Sequence, residues 1–273
     1  MHIKIIMFAI PVFVFTSCNF IKQKAGTEKS KTPSKDETRI VRRYFEDGSI
    51  KSEISVKGNL RDGITKNYSK YGYLMSEVSY VNNKKDGPAV NYYSSGKVHS
   101  KLMYKNGVKN GDSFWYYKSG KVFRINPFIN GKLDGIQKFY YENGGIMAEV
   151  PYKNGQPGLG TKEYTEKGEL MKNYPTIKIE KLDQVYQHQS IILKMHLSNN
   201  STRVKFYIGN LMDGRYLDEN TPGVSERGGV GTKEYRVTPG TEKTENINII
   251  AVYTTNFGMP YVTQKKYNLV LKY

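Results

Sequence analysis

Apolar and polar positions alternate with a period of two along many short segments of this chain, which is typical of half-buried β-strands. Between residues 50 and 57, the even positions form one predicted inward row, Ile50, Ser52, Ile54 and Val56. The same alternation returns 24 residues later and at further multiples of that distance. One row departs from the pattern because it carries charged and amide side chains; it consists of Val122, Arg124, Asn126 and Phe128. We therefore predict a series of strands that each present one face to a core.

Six tyrosines stand 24 residues apart, and a glycine follows each of them four residues later. The tyrosines, which we call the register tyrosines, are Tyr44, Tyr68, Tyr92, Tyr116, Tyr140 and Tyr164. The glycines are Gly48, Gly72, Gly96, Gly120, Gly144 and Gly168. Two positions that keep one period without an insertion indicate a repeat array, which typically offers an extended surface for binding. We expect the register tyrosines to point inward and to hold the repeats together by packing.

Asn-Gly pairs lie between the two strands of successive units, as at Asn106-Gly107 and Asn130-Gly131. Both residue types tolerate the positive φ that tight hairpin turns require. Each unit is therefore predicted to be a two-stranded hairpin. Because a lone hairpin is only marginally stable in water, the units must stack side by side. The predicted fold is all-β, an antiparallel meander of about five to six 24-residue hairpin repeats over residues 41–175.

The units from Tyr104 to Gly111 and from Tyr116 to Lys121 resemble the MORN repeat variant of the YwqK-type family. The resemblance covers residues 41–175, about half of the chain, and implies a sheet of MORN-variant hairpins. Proteins similar to this family are often labelled antitoxins. The resemblance therefore also implies a second hypothesis for function, an antitoxin or immunity protein that binds and neutralises a toxin.

Strand patterns continue beyond the last repeat without the 24-residue period, for example in residues 190–197 and 246–253. Clusters of turn residues separate these segments at spacings that suit a β-sandwich. The remaining length of about 100 residues is sufficient for an independent core. We predict a smaller, immunoglobulin-like β-sandwich domain at residues 176–273, and the alternative is an irregular barrel.

The first 17 residues have the pattern of a signal peptide, with Lys4 ahead of an apolar run from Ile5 to Phe15. The run is short for a transmembrane helix. It ends shortly before Cys18, and this arrangement resembles a bacterial lipobox, which implies that Cys18 is acylated and anchors the mature chain to a membrane. The alternatives are cleavage without lipid and an uncleaved anchor. Residues 18–40 are predominantly polar and charged, which predicts a flexible tether.

The charge of the chain indicates which classes of partner to expect, and its cysteine content indicates whether disulfides can form. The chain has 42 Lys and Arg against 25 Asp and Glu, a net charge of +17, but the basic residues are dispersed rather than clustered. No nucleic-acid-reading motif is present, and export would separate the chain from most nucleic acid, so we predict no nucleic-acid partner. A broad positive surface favours an anionic partner in the cell envelope. Cys18 is the only cysteine, so no intrachain disulfide is expected.

The residue types that carry catalysis form no recognisable motif. His188 and His196 are eight residues apart in or beside a predicted strand, and we interpret them as ordinary strand residues. The acidic residues between Asp213 and Asn220 do not have the spacing of a calcium-binding loop. We therefore predict a non-enzymatic protein with no catalytic residue, no metal site and no cofactor.

Aromatic residues adjacent to the register tyrosines are the remaining candidates for binding, because exposed tyrosine and tryptophan favour contacts with other molecules. By alternation we place them on the face opposite the register tyrosines; they are Tyr93, Trp115, Tyr117, Phe139 and Tyr141. The alternative is that sheet curvature or the second domain covers them. Together these features predict a membrane-anchored lipoprotein of the cell envelope, at the outer membrane or cell surface, whose repeat sheet is an interaction scaffold.

Overall fold

The computed structural model describes residues 37–273, which contain three β-sheets and one short helix, α1 (Val185–His188). The first sheet is an antiparallel meander of 14 strands, so the predicted all-β fold with hairpin repeats is confirmed. Its strands are β1 (Thr38–Tyr44), β2 (Ile50–Lys57), β3 (Leu60–Tyr68), β4 (Leu74–Val81), β5 (Lys84–Tyr92), β6 (Val98–Lys105), β7 (Val108–Lys109), β8 (Gly111–Tyr116), β9 (Val122–Ile129), β10 (Lys132–Leu133), β11 (Gly135–Tyr140), β12 (Ile146–Lys153), β13 (Gln156–Pro157) and β14 (Lys162–Glu163). Between residues 37 and 273 no helix is both long enough and apolar enough to span a bilayer.

The predicted signal peptide, the lipidation site Cys18 and most of the predicted tether lie outside the described residues. The tether was expected to extend to residue 40, but strand β1 begins at Thr38. Residues 38–40 pair with residues 55–57 of β2, so the backbone hydrogen bonds of the sheet extend into the end of this polar segment.

Turn chemistry explains why the two strands of a unit form a hairpin. In the turn that separates β6 from β8, Asn106 has φ of 50° and Gly107 has φ of 89°. These left-handed values are those for which asparagine and glycine are suited, so the predicted turn is confirmed. The second turn of the unit follows the register tyrosine. There the Gly120 amide donates to the Tyr117 carbonyl at 2.9 Å, with Gly120 at φ of 96°, which explains a glycine four residues after each tyrosine.

The two faces of the repeat sheet differ in burial. On β2, Ser52, Ile54 and Val56 are buried, whereas the residues between them are partly or fully exposed. The predicted inward row of this strand is therefore correct from Ser52 onward, while Ile50 is 37% exposed. We call the face that carries Ser52, Ile54 and Val56 the inner face, and the opposite one the outer face.

The remaining strands form a sandwich, as predicted. One sheet has the order β15-β16-β19-β18 and the other β17-β20-β21. Met195 of the first sheet shares a buried cluster with Phe206 and Ile249 of the second. The strands are β15 (Ile177–Gln184), β16 (Ser190–Leu197), β17 (Val204–Ile208), β18 (Ser225–Arg227), β19 (Val230–Arg236), β20 (Glu242–Thr254) and β21 (Pro260–Lys272).

The sandwich packs against the last units of the repeat sheet. Met259, in the turn between β20 and β21, is 6% exposed and lies in one cluster with Phe139, Ala148 and Val150 of the inner face. Beside it, the Thr161 hydroxyl donates to the Pro260 carbonyl at 2.9 Å. The sandwich therefore covers the inner face at the end of the array.

Candidate interaction surface

The outer face carries the register tyrosines, which corrects the prediction that they point inward. The Tyr68 hydroxyl donates to Glu53 at 2.9 Å, and Glu53 occupies the side of β2 opposite the buried Ser52 and Ile54. The Tyr92 hydroxyl donates in the same way to Glu77, at 2.7 Å. Burial and the bond to this carboxylate raise the pKa of Tyr92 to about 12. The register tyrosines thus lie on the outer face rather than in a core, and Tyr68 and Tyr92 contact carboxylates there.

Hairpin register explains why the predicted faces were wrong for the second strand of each unit. A two-residue turn at Asn106-Gly107 pairs Lys105 with Val108, so even positions on one strand lie opposite odd positions on the next. Ser100 is accordingly paired with Trp115. The inner face of a second strand therefore consists of odd positions. The exchange of even and odd positions can be read from the sequence when the two strands are aligned across their turn. Alternation within one strand does not show it.

The predicted aromatic strip consequently lies on the inner face, and its members differ in burial and in hydrogen bonding. Phe139 is buried at 8% exposure beneath Met259, as the covered alternative expected. Tyr93, Tyr117 and Tyr141 are partly buried, and each hydroxyl donates to the backbone carbonyl of the next register tyrosine, at 2.6 to 2.7 Å. These three hydrogen bonds, which we call the tyrosine clasps, connect each turn to the following repeat. Whether these residues bind another molecule stays a prediction.

A β-bulge explains why the face predicted for Val122 was wrong. The pairing of β8 with β9 shifts between Trp115 and Tyr116, so Phe123 has no direct partner. The Phe123 ring packs with the Phe139 ring at 6.0 Å between centroids, which places it on the inner face. Its neighbour Val122, which was expected to point inward, instead lines an outer groove.

The centre of the outer face lacks the carboxylates found in the other repeats. Two register tyrosines there, Tyr116 and Tyr140, face Lys101 and Ile125 at the positions that hold glutamate elsewhere. Neither hydroxyl has a hydrogen-bond partner within residues 37–273, in contrast to those of Tyr68, Tyr92 and Tyr164. A comparison of aligned repeats in the sequence would have found this change, since glutamate is replaced twice in succession.

Apolar side chains surround these two unpaired hydroxyls. The Tyr116 ring stacks on Phe114 with centroids 6.5 Å apart, and Phe114 is the cross-strand partner of Ile125. Val122, Ile125 and Tyr140 line one shallow groove. We call the set Phe114, Tyr116, Val122, Ile125 and Tyr140 the central groove. Its side chains are partly buried, and neither unpaired hydroxyl is fully buried.

Basic residues border the central groove. Lys101 is the cross-strand partner of Phe114, Lys138 is the partner of Ile125, and Lys121 lines the groove itself. None of these three lysines forms an ion pair with another described residue, whereas Lys66 pairs with Glu77 at 3.6 Å in an earlier repeat. The groove therefore combines an apolar centre, two unpaired hydroxyls and an unneutralised basic rim.

The residues considered for catalysis and metal binding are dispersed. His196 is partly buried and lies 3.4 Å from the exposed Glu180, and His188 ends helix α1. In the acidic loop, Asp213 pairs with Lys153, and Glu219 lies 3.6 Å from Lys132. Over residues 37–273 no three His, Cys, Asp or Glu side chains come close enough to hold a metal ion together.

One buried carboxylate lies where the repeat sheet meets the sandwich. Glu163 is 2% exposed and accepts a hydrogen bond from the Thr255 hydroxyl. Burial raises the pKa of the Glu163 carboxyl, and the bond from Thr255 opposes this shift. Tyr174 and Tyr253 line the same small cavity, and burial raises the pKa of both. This cluster connects the two domains and is separate from the central groove.

Comparison with known proteins identifies the repeats. The family model described as MORN repeat variant matches three consecutive segments, residues 85–106, 109–130 and 133–154. The inferred resemblance to the MORN repeat variant is confirmed over these segments. All five residues of the central groove lie within the second and third of them. No curated protein matches the chain significantly.

Proposed function

Because the chain carries repeats of the MORN repeat variant family, which suit a repeat-based interaction scaffold, we propose that it is a non-enzymatic, membrane-anchored lipoprotein of the cell envelope that binds a protein partner. The central groove on the outer face is the proposed contact. A continuous sheet fixes the relative positions of its side chains, so the surface is preorganised for binding.

The observation that carries this proposal is the unpaired state of the two central hydroxyls. Tyr116 and Tyr140 present partly exposed rings and free hydroxyls beside apolar neighbours. Tyrosine is frequent among the residues that dominate binding energy, because one ring supplies apolar area and one polar end. In the flanking repeats the equivalent hydroxyls are satisfied within the sheet by Glu53 and Glu77.

The rim indicates the chemistry of the partner. Lys101, Lys121 and Lys138 have no carboxylate partner among the described residues and surround the apolar centre. Opposite charges at the rim increase the rate of association and exclude wrong partners. The proposed partner is therefore a protein that presents an apolar contact surrounded by acidic side chains, in keeping with the net charge of +17.

Membrane attachment is proposed through Cys18. The apolar run before it and the polar segment after it support an acylated N-terminus followed by a tether, and the outer membrane or cell surface is the proposed location. Replacing Cys18 with serine is expected to move the protein from the membrane fraction to the soluble fraction. Retention of the variant in the membrane fraction would contradict the lipid anchor.

Partner capture from native envelopes tests the groove. Ile125→Lys places a charge in the apolar centre, and Ile64→Lys, at a 48% exposed site elsewhere on the outer face, is the matched control. After chemical crosslinking and mass spectrometry, we expect the yield of one partner to fall at least tenfold with Ile125→Lys and to remain with Ile64→Lys. Equal yields from the two variants would reject the groove as the contact. If the captured protein is a toxin, rescue of growth on co-expression would identify the protein as an antitoxin.

A further inference from the structure

One unit of the repeat sheet breaks a hydrogen-bonded row on the inner face. In the preceding unit, the Asn91 side-chain amide donates to the Ser100 hydroxyl across two strands at 2.9 Å, and the unit before that has the same pair. At the next equivalent position the pair is Trp115 and Arg124. In the two earlier units the asparagine and serine side chains hydrogen-bond to each other. In the Trp115 and Arg124 pair, tryptophan offers the guanidinium no hydrogen-bond acceptor.

Arg124 is surrounded by aromatic rings. Its Cζ atom lies 4.3 Å from the Trp115 ring centroid, 5.8 Å from that of Phe139 and 6.0 Å from that of Phe123. Such contacts hold a guanidinium in one orientation and cover its flat faces. Of the guanidinium nitrogens only Nε is fully buried, so the terminal N–H groups remain available for a ligand in the plane of the group.

The N–H groups of Arg124 have no protein acceptor. The Nε atom is buried without a hydrogen-bond partner, and no carboxylate within residues 37–273 forms an ion pair with the guanidinium. Two buried amides of the inner face, Asn126 and Gln137, bond to each other at 2.8 Å. Burial lowers the pKa of Arg124, yet arginine stays protonated near neutral pH. A fixed, partly desolvated positive charge is therefore left without a counter-ion.

We propose that Arg124 is the centre of a carboxylate-binding site on the inner face of the sheet. The planar fork of N–H donors matches the two oxygens of a carboxylate. A single unpaired guanidinium suits a single negative charge, and the rings of Trp115 and Phe123 provide apolar walls for the organic group that carries it. The site lies on the opposite face from the central groove and does not depend on the proposed partner.

The carboxylate can come from a free small acid or from an acidic residue of another protein, and two probes distinguish these sources. Trp115 is the only tryptophan in the chain, so its fluorescence reports this site alone. The purified full-length protein is titrated with sodium acetate and with a blocked tripeptide that carries one glutamate. Sodium chloride keeps the ionic strength constant and serves as the reference.

We expect a saturable change in Trp115 emission with at least one probe. Arg124→Gln should weaken the apparent affinity by about ten- to a hundredfold, the usual effect of losing hydrogen bonds to a charged group. Arg61→Gln is the matched control, because Arg61 also lies over an aromatic ring of the repeat sheet, that of Tyr80, at 5.4 Å, but away from Trp115. The affinity of the Arg61→Gln variant for each probe should equal that of the unmodified protein. A peptide that binds at least tenfold more tightly than acetate indicates a protein source, and equal binding indicates a small acid.

Two results would overturn the site: no saturable change with either probe in the unmodified protein, or unchanged affinity in Arg124→Gln. Thermal melting identifies any variant that fails to fold. In that event Arg124→Lys is used, since it keeps the charge but loses the fork and should bind measurably more weakly.

Discussion

The tyrosine clasps allow a quantitative test of how the repeats are held together. Replacing Tyr93, Tyr117 and Tyr141 with phenylalanine removes three hydroxyls and leaves the rings in place. Each hydroxyl donates to a backbone carbonyl of the next repeat. The matched control replaces Tyr44, Tyr116 and Tyr140, whose hydroxyls have no hydrogen-bond partner among the described residues.

The expected magnitude follows from the three distances of 2.6, 2.7 and 2.7 Å, which are those of well-formed hydrogen bonds. Each bond contributes about 0.5–1.5 kcal/mol to the free energy of unfolding. Equivalent hydroxyls belong to successive two-stranded units, about 10 Å apart in the sheet, so their effects should be nearly additive. The clasp triple variant should therefore lose about 1.5–4.5 kcal/mol, and the control triple variant should change by less than about 0.5 kcal/mol.

Urea unfolding followed by Trp115 fluorescence measures this difference, because the single tryptophan belongs to the repeat sheet. The slope of free energy against urea should remain unchanged while the midpoint falls in the clasp variant. Equal midpoints for the clasp and control variants would refute the claim that these hydroxyls connect the repeats.

Three further predictions concern the contact between the repeat sheet and the sandwich. Met259→Ala should reduce the free energy of unfolding by about 2–5 kcal/mol because it empties a buried site, and calorimetry should show a much smaller effect for Phe257→Ala, which is 38% exposed in the same turn. Burial raises the pKa of Glu163, so this group's contribution to stability is fully present below its unfolded pKa and is lost as pH rises through the folded pKa. Glu163→Gln should therefore reduce the change of melting temperature between pH 4 and 8. Equal pH dependence of the melting temperature in the variant and the unmodified protein would contradict this. Gly158→Ala should lower the melting temperature, because the new Cβ would lie 2.6 Å from the Tyr216 ring; an unchanged value would show that the ring moves freely.

Local patterns predicted the repeat fold because each rule acts within a few residues. The Asn-Gly turns and the glycine four residues after each tyrosine require left-handed backbone conformations, and both are found, as at Gly107 and Gly120. The alternating row from Ser52 to Val56 is buried as expected. These features depend on φ preferences and on the period of a strand.

The faces of the second strands were predicted wrongly because the period-two alternation was continued across the turn, where strand pairing exchanges even and odd positions. Tyr116 is large but lies on the outer face, whereas the small Ser113 is fully buried on the inner face. Pairing across the turn decides this arrangement, and the bulge at Phe123 changes it again. The burial of Phe139 could not be predicted locally, since Met259 covers it from about 120 residues further along the chain.

Site-specific photo-crosslinking in intact cells tests the scaffold directly. A photoreactive amino acid is placed at Val122 in the central groove and, in a second strain, at Tyr186, which is 89% exposed in helix α1 of the sandwich. We predict one adduct of defined mass, carrying an acidic partner protein, from Val122 and none from Tyr186. An adduct from Tyr186 alone, or no adduct from Val122, would contradict binding through the repeat sheet.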